Sequence, residues 1–521
     1  MPPTHAAHPR TPRSLVHVRA WWLLLAAIAS AGCQRPADGP APRRAIVLIV
    51  VDGLRPDQVT ADVMPRLQAL GQRGLVFDAH HAAMPTVTRV NASTMATGAY
   101  PETHGLLGNT VYSAATFPAR GVNTSRHEDL LAMQQAEGQL LTAPTLGTVL
   151  QRAGRRLVVF SAGSSGSAFL LAYPPGTSPV VNPDLIQPET LRAAVLAAAG
   201  PGPAEAVPNT PRNRWIVDAY VALGATDLAA DVTAFWFADP DESAHQTGLG
   251  SEATTAALRA VDGEIGRIED TLRARGALDT TTLLVTSDHG FSTHTGGFRL
   301  GDLVAPLAEP LPDGAPDLVV TDGAVNPRRP LAPARLAGLV AALQARPDVG
   351  AIFTAPAREG SLEGVVPGTL AFDVARWRHP RSAPLFVSAN WSDAANAAGV
   401  PGTTTQTGAA GHGTTSPFDI HNTLIAAGAG VRAGGRSPAP TSNADLAPTI
   451  LALLGLPPEA SMSGRVIREL AADGPAPEAL AVTRDTVTSR SRDGRYTVSA
   501  QVSIVDGRRY LDRTEVVRQA R

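Results

Sequence analysis

Four short apolar runs limit the folds open to this chain. Residues 45–51 read AIVLIVV, and similar runs recur at 157–160, 232–237 and 281–286. A strand that is apolar at every position must be covered on both faces, as in a parallel sheet layered between helices. Segments of helical period separate the runs, at 64–72, 145–153 and 254–275; in the last, Ala256, Leu258, Val261, Ile265, Ile268 and Leu272 recur at helical spacing. This alternation predicts an α/β fold with a mainly parallel central sheet flanked by helices. Such sheets bind ligands beyond the carboxyl ends of their strands. Asp52 ends the first run, Asp288 and His289 end the last, and Asp241 lies a few residues past the run at 232–237.

Two long stretches, near 110–231 and 296–407, interrupt the core pattern and read as insertions, the second as a cap. A closing helix is expected at 447–454, with Pro448 in its first turn and Asp445 as its cap. Alternation over 496–504, then Asp506-Gly507, then 508–517 predicts a small terminal hairpin. An α/β stretch at 45–470 and a C-terminal extension at 471–521 are the expected divisions.

Residues 1–33 hold arginines but no acid, then an apolar run and small residues before Cys33, the only cysteine. This is the pattern of a secretory signal, too short in its apolar part to span a membrane. Ala31-Gly32-Cys33 resembles the lipobox of bacterial lipoproteins, which implies a lipidated Cys33 and a periplasmic or outer-membrane-anchored protein. Ser30 departs from that pattern, and a plain signal with an incidental cysteine is the alternative. Residues 34–44 read as a tether. With no second cysteine there is no internal disulfide and no thiolate metal site.

The formal net charge is −2, so no overall basic field draws in duplex nucleic acid. All 44 basic residues are arginine. A cationic contact to an anionic substrate must therefore come from arginine or metal.

The polar residues that carry chemistry sit in five motifs. Asp52 lies in VDGLRPD and Asp288-His289 in TSDHG, while Asp241 and His245 stand four apart in DPDESAHQTG with Asp239 as a rival carboxylate. His412 lies in GHG, and Thr88 in PTVTRVN, ahead of a helix expected to begin near Val90 or Asn91. Each has a bland reading on its own: a turn, an exposed loop, a helix cap. The donor types suit zinc, and a threonine hydroxyl attacks only after a base or metal removes its proton. His104 and His294 lie near the motifs, whereas His80, His81, His127, His379 and His421 carry no assigned role.

Taken in order, VDGLRPD, PTVTRVN through TGAYPETHGLLGN, DPDESAH, TSDHG and GHG resemble the alkaline phosphatase superfamily, in its type I phosphodiesterase/nucleotide pyrophosphatase branch. ADLAPTILALLGLPPEASMSGRVI resembles its closing segment. The resemblance implies an alkaline phosphatase-like core with two zinc ions, one held by Asp241, His245 and His412, the other by Asp52, Asp288, His289 and the Thr88 oxygen. It also implies that Thr88 attacks phosphorus to form a phosphothreonine ester, and that Asn109 contacts a non-bridging phosphoryl oxygen. Two departures shape the substrate. Arg89 follows the nucleophile where nucleotide-cleaving relatives often place an aromatic residue; a guanidinium there suits a second anionic group on the substrate. Gly163, Ser164 and Ser165 stand where monoester-cleaving relatives supply lysine and arginine.

The leading reading is an exported two-zinc phosphodiesterase acting on a small-molecule phosphoester. The alternatives are a phosphonoacetate hydrolase-like or phosphomonoesterase activity and, outside catalysis, a silent envelope binding protein, which the retention of all seven ligands disfavours. Neither G-x-S-x-G nor H-E-x-x-H occurs.

Overall fold

The computed structural model describes residues 44–519. The expected signal, Cys33 and all of the tether but Arg44 lie outside them. Among the described residues a nine-stranded sheet forms the centre. Its strands are β1 (Ala45–Val51), β2 (Leu75–Phe77), β3 (Leu157–Ser161), β4 (Val180–Asn182), β5 (Leu185–Gln187), β6 (Val232–Phe237), β7 (Thr281–Thr286), β8 (Leu424–Gly428) and β9 (Arg436–Ser437). Their spatial order is β9-β2-β8-β7-β1-β6-β3-β4-β5. β1 runs parallel to β7 on one side and to β6 on the other, and β3 runs parallel to β6. β8 enters antiparallel to β7 and β2, and β5 antiparallel to β4.

The continuous apolar run of β1 follows from this central place. Ile46, Leu48 and Val50 feed one apolar cluster, and Val47, Ile49 and Val51 feed another on the opposite face. The second cluster takes Leu258, Val261, Ile265, Ile268 and Leu272 from the helix Glu252–Ala274. The Ser251 side chain starts that helix by accepting from the Thr254 amide, and Ala257 rather than Ala256 is buried on it. The helices Pro65–Arg73 and Leu146–Arg152 stand within a residue of their expected bounds. The closing helix is Leu446–Leu453, but Asp445 does not cap it. Its carboxylate instead accepts from the amides of Ser442 and Arg465 and from the Tyr510 hydroxyl, and burial pushes it up to about 6.

The stretch near 110–231 is in large part core rather than insertion, because β3, β4 and β5 come from it. β3 pairs with β6 along its whole length, so the apolar run at 157–160 outweighs the irregular sequence around it. The stretch near 296–407 builds a separate five-stranded sheet whose apolar cluster includes Leu339, Val340 and Leu343 of the helix Pro333–Gln344. Its last part joins Ser292–Phe298 and Ala410–Gly411 in a four-stranded sheet. At the C-terminus the expected hairpin forms between Tyr496–Val505 and Arg508–Arg518, and Thr483–Arg490 adds a third strand.

Candidate active site

Strand ends meet a helix N-terminus at the carboxyl edge of the central sheet. Asp52 leaves β1 with its amide donating to the Phe237 carbonyl at 3.1 Å, while its own carbonyl accepts from the Asp241 amide at 3.1 Å. Gly53 turns the chain at φ 74°, and a Cβ there would lie 2.9 Å from the Phe291 ring. The turn presents the Asp52 carboxylate, whose Oδ2 accepts from Trp236 Nε1 at 2.9 Å. Asp288 Oδ1 accepts from the Gly53 amide at 3.1 Å, and its Oδ2 lies 3.0 Å from His289 Nε2. Asp241 and His245 share one turn of the helix Asp241–Thr247, with Oδ1 and Nε2 3.4 Å apart. His412 follows the strand Ala410–Gly411 and brings its Nε2 to 3.3 Å from Asp241 Oδ1 and 3.1 Å from His245 Nε2. Asp239 points elsewhere, accepting from the Ser243 hydroxyl and the Asn213 amide, so Asp241 alone of the two rivals reaches the site.

The outward nitrogens define the tautomers. Nδ1 of His245, His289 and His412 lies 3.0, 3.0 and 2.7 Å from the carbonyls of Ala410, Gly290 and Thr86. A carbonyl only accepts, so each Nδ1 carries a proton and each ring turns Nε2 inward. There the nitrogens meet Asp52 Oδ1, Asp241 Oδ1 and Asp288 Oδ2, all buried and without a hydrogen-bond partner. Donor atoms converging at such distances repel unless protons or cations lie among them, and a nitrogen and carboxylate donor set suits zinc-type ions. The residues fit two such ions: Asp241, His245 and His412 could hold one, and Asp52, Asp288 and His289 the other. His289 stands between the groups, 3.6 Å from Asp52 Oδ1 and 4.0 Å from Asp241 Oδ1.

These groups titrate against one another. Burial, then repulsion from Asp288 and Asp241, holds the Asp52 carboxyl well above its usual range. Burial favours neutral Asp241 too, but His245 and His412 outweigh it and hold that carboxyl well below. Against the pull of burial, Asp241 pushes His245 up to about 9. Burial and the neighbouring His289 lower His412 to about 4.

Thr88 opens the helix Thr88–Thr97, which starts two residues earlier than Val90. Its hydroxyl lies 3.3 Å from His289 Nε2. Asn91, inside the helix, accepts from the Ala83 amide and donates to the Ala83 carbonyl, so the loop leading into Thr88 is pinned. Asn109 Oδ1 accepts from the Arg89 amide at 3.0 Å, which leaves Nδ2 as its donor group. The Arg89 guanidinium has a buried Nε without a partner and makes no ion pair among the described residues. Burial lowers its pKa, and Asp52 and Asp322 act against that.

Sequence reasoning missed Trp236, which lies inside an apolar run where nothing marks an orienting role. It missed Asp322 as well, whose Oδ2 accepts from the Thr110 amide at 2.6 Å next to Asn109. Asp322-Gly323 is legible as a hairpin turn, but not what the turn touches. His104 is structural, accepting from the Leu106 amide and facing the Thr94 hydroxyl. His294 holds the Thr407 carbonyl beside Gly411. Gly163 lies against Trp236, where a Cβ would come within 3.2 Å of the indole, and the segment from Gly163 to Ser165 brings no cation there.

The sequence pattern of the family described as type I phosphodiesterase/nucleotide pyrophosphatase matches residues 46–406. Human ectonucleotide pyrophosphatase/phosphodiesterase family member 7 is 25% identical over 280 residues, covering 54% of this chain and 54% of its own length. The chain thus spans about half the length of that relative. Among solved structures, an inactive variant of murine ectonucleotide pyrophosphatase/phosphodiesterase 5 in complex with AMP matches with a TM-score of 0.58 at 16% identity, over 82% of this chain and 100% of that one. A mutant of the alkaline phosphatase PafA matches with a TM-score of 0.62 at 15% identity, over 83% and 100%. Likeness at such identity shows the fold.

The His245 imidazole, raised to about 9, makes a pH prediction for chelator-treated protein. Its attraction to Asp241 is fully present below its unfolded value of about 6.5 and is lost as pH rises through the folded value. Melting temperature is expected to fall across that window. Zinc binding, which needs the neutral imidazole, is expected to strengthen over the same window. Thermal melts and zinc titrations at three pH values check both directions.

Proposed function

The chain belongs to the type I phosphodiesterase/nucleotide pyrophosphatase family, and from that premise we propose that it is an exported two-zinc phosphodiesterase working through a phosphothreonine intermediate on Thr88. The observation that carries this reading is the convergence of three inward-facing imidazole nitrogens and three unpartnered carboxylate oxygens beside the Thr88 hydroxyl. Asp241, His245 and His412 take one ion; Asp52, Asp288, His289 and the Thr88 oxygen take the other. When bound, such ions neutralise charge on the phosphoryl group and favour the deprotonated hydroxyl.

The chain's own groups do the rest. The Thr88 oxygen bonds to phosphorus as the leaving alkoxide departs; water then cleaves the phosphothreonine ester and restores the hydroxyl. Amides at the start of the helix Thr88–Thr97 favour the negative phosphoryl group. Asn109, its Oδ1 occupied by the Arg89 amide, offers Nδ2 to a non-bridging oxygen. Trp236 keeps the Asp52 carboxylate aimed at the site.

Arg89 sets the substrate class. A guanidinium whose buried Nε has no partner among the described residues favours a diester that carries a second anionic group, carboxylate or phosphate. The same group suits a phosphonoacetate-like substrate. A monoester brings extra charge at phosphorus, and the segment from Gly163 to Ser165 has no cation to meet it. The murine relative bound to AMP makes a nucleotide diester one substrate to test. Export rests on the signal pattern of residues 1–33, with Cys33 as the lipidation site.

Thr88→Ala is expected to lower kcat on an aryl phosphodiester by a factor on the order of 10⁴ or more, with circular dichroism and most of the zinc retained. An active variant would show the nucleophile to be another group. Arg89→Met is expected to raise KM about tenfold or more for a carboxylate-bearing aryl diester while leaving a neutral one almost unchanged. Equal effects on both substrates would refute the anion-binding role. Cys33→Ser is expected to abolish incorporation of labelled palmitate in the expressing bacterium, and labelling that persists would exclude lipidation at Cys33.

A further inference from the structure

A second group of ligand atoms lies outside the site just described. His81, in the short strand His80–His81, is the direct antiparallel partner of His421. Directly opposed residues project from the same face of a sheet; here the two imidazole centroids are 4.5 Å apart. The third member comes from the C-terminal extension: Asp512, on the strand Arg508–Arg518, brings Oδ1 to 2.9 Å from His81 Nε2. The ligand atoms of all three residues lie within 4.8 Å of one another. Ions bonded at about 2.0–2.2 Å hold tetrahedral ligand atoms roughly 3.3–3.5 Å apart, inside the range spanned here.

Outer contacts orient two of these side chains. His81 Nδ1 donates to the Thr441 carbonyl at 2.9 Å, which points Nε2 at the cluster. Asp512 Oδ2 accepts from the Ser503 hydroxyl at 2.8 Å, which leaves Oδ1 for it. A histidine whose second nitrogen holds a carbonyl, and a carboxylate whose second oxygen is hydrogen-bonded, are the usual supports of metal ligands. His81 is 2% exposed, so its inward nitrogen has little access to water. An ordinary ion pair would join His81 to Asp512 alone; a shared ion uses His421 as well.

We propose that His81, His421 and Asp512 bind a divalent ion of the zinc class, separate from the catalytic pair, and that this ion fastens the C-terminal three-stranded sheet to the catalytic domain. Two imidazoles and a carboxylate favour zinc over magnesium or calcium, which prefer all-oxygen sites. The residues joined are far apart in the chain, so the ion closes long loops, the case in which a cross-link constrains the unfolded chain most. It acts next to the active site. His80, beside His81, faces the side chains of Thr286 and Asn443, and Asn443 donates to the Asp288 carbonyl.

The test compares zinc content per chain in zinc-loaded wild-type enzyme and in His421→Ala, after dialysis to remove loosely held ion. His421→Ala leaves the His81–Asp512 pair intact. It is expected to hold one zinc fewer than wild type, to turn over an aryl diester within about twofold of wild type, and to melt at lower temperature. Equal zinc content in the two proteins overturns the proposal and leaves an ion pair. If the variant does not fold, anomalous diffraction from wild-type crystals across the zinc absorption edge decides, because a peak is expected among His81 Nε2, His421 and Asp512 Oδ1. No peak there, with peaks at the catalytic residues, rejects this site alone; no peak at the catalytic residues bears on the two-zinc reading instead.

Discussion

The carboxylates of Asp52, Asp241 and Asp288 repel one another across a small buried space, and the fold holds them there. Burial, and then that repulsion, raise the Asp52 carboxyl. Neighbouring groups keep the acids in place: the Trp236 indole on Asp52, the Gly53 amide on Asp288, and a helical turn beneath Asp241 and His245. The first two of these contacts each align one oxygen and leave another unpartnered. Such an arrangement suits cations, since bound ions would replace repulsion with attraction.

Strand register decides where the acids meet. Val51 on β1 stands beside Phe237 on β6, and Val50 stands beside Thr286 on β7. The residues that follow therefore leave the sheet at one edge. A slip in either pairing would carry Asp52 away from Asp288 or from the helix that bears Asp241. The two-sided apolar packing of β1 resists such a slip, because it would move side chains between unlike apolar clusters. Core packing and site geometry are in this sense one constraint.

The peripheral parts reach the same site through polar contacts. Asp322 comes from the sheet built by the stretch near 296–407 and holds the backbone next to Asn109. The C-terminal sheet touches the segment that follows His412 through the Thr415 and Thr514 hydroxyls, 2.6 Å apart, and holds Asp445 through the Tyr510 hydroxyl. These parts are thus placed to affect the loops that carry Asn109 and His412.

Much of this was legible in the sequence, for a local reason. An apolar run covered on both faces looks the same wherever its partners come from, so four of the nine strands of the central sheet, and the acids at or just beyond the ends of three of them, could be read without knowing the pairing. The order of the five motifs pointed to the family. Contacts between distant segments were not legible. Asp241 and Asp239 are equivalent as letters, and only the start of the helix separates the one facing the site from the one turned to Ser243 and Asn213. Trp236 reads as one more apolar residue until its indole meets Asp52. The unpartnered Nε of Arg89 among the described residues, and the pairing of His81 with His421, depend on which segments lie side by side. The sequence by itself determined the strands apolar on both faces, the helices of clear period and the ligand types; tertiary structure decided the shorter strands and which of those side chains share a space, because hydrophobic period is a local property and charge complementarity is not.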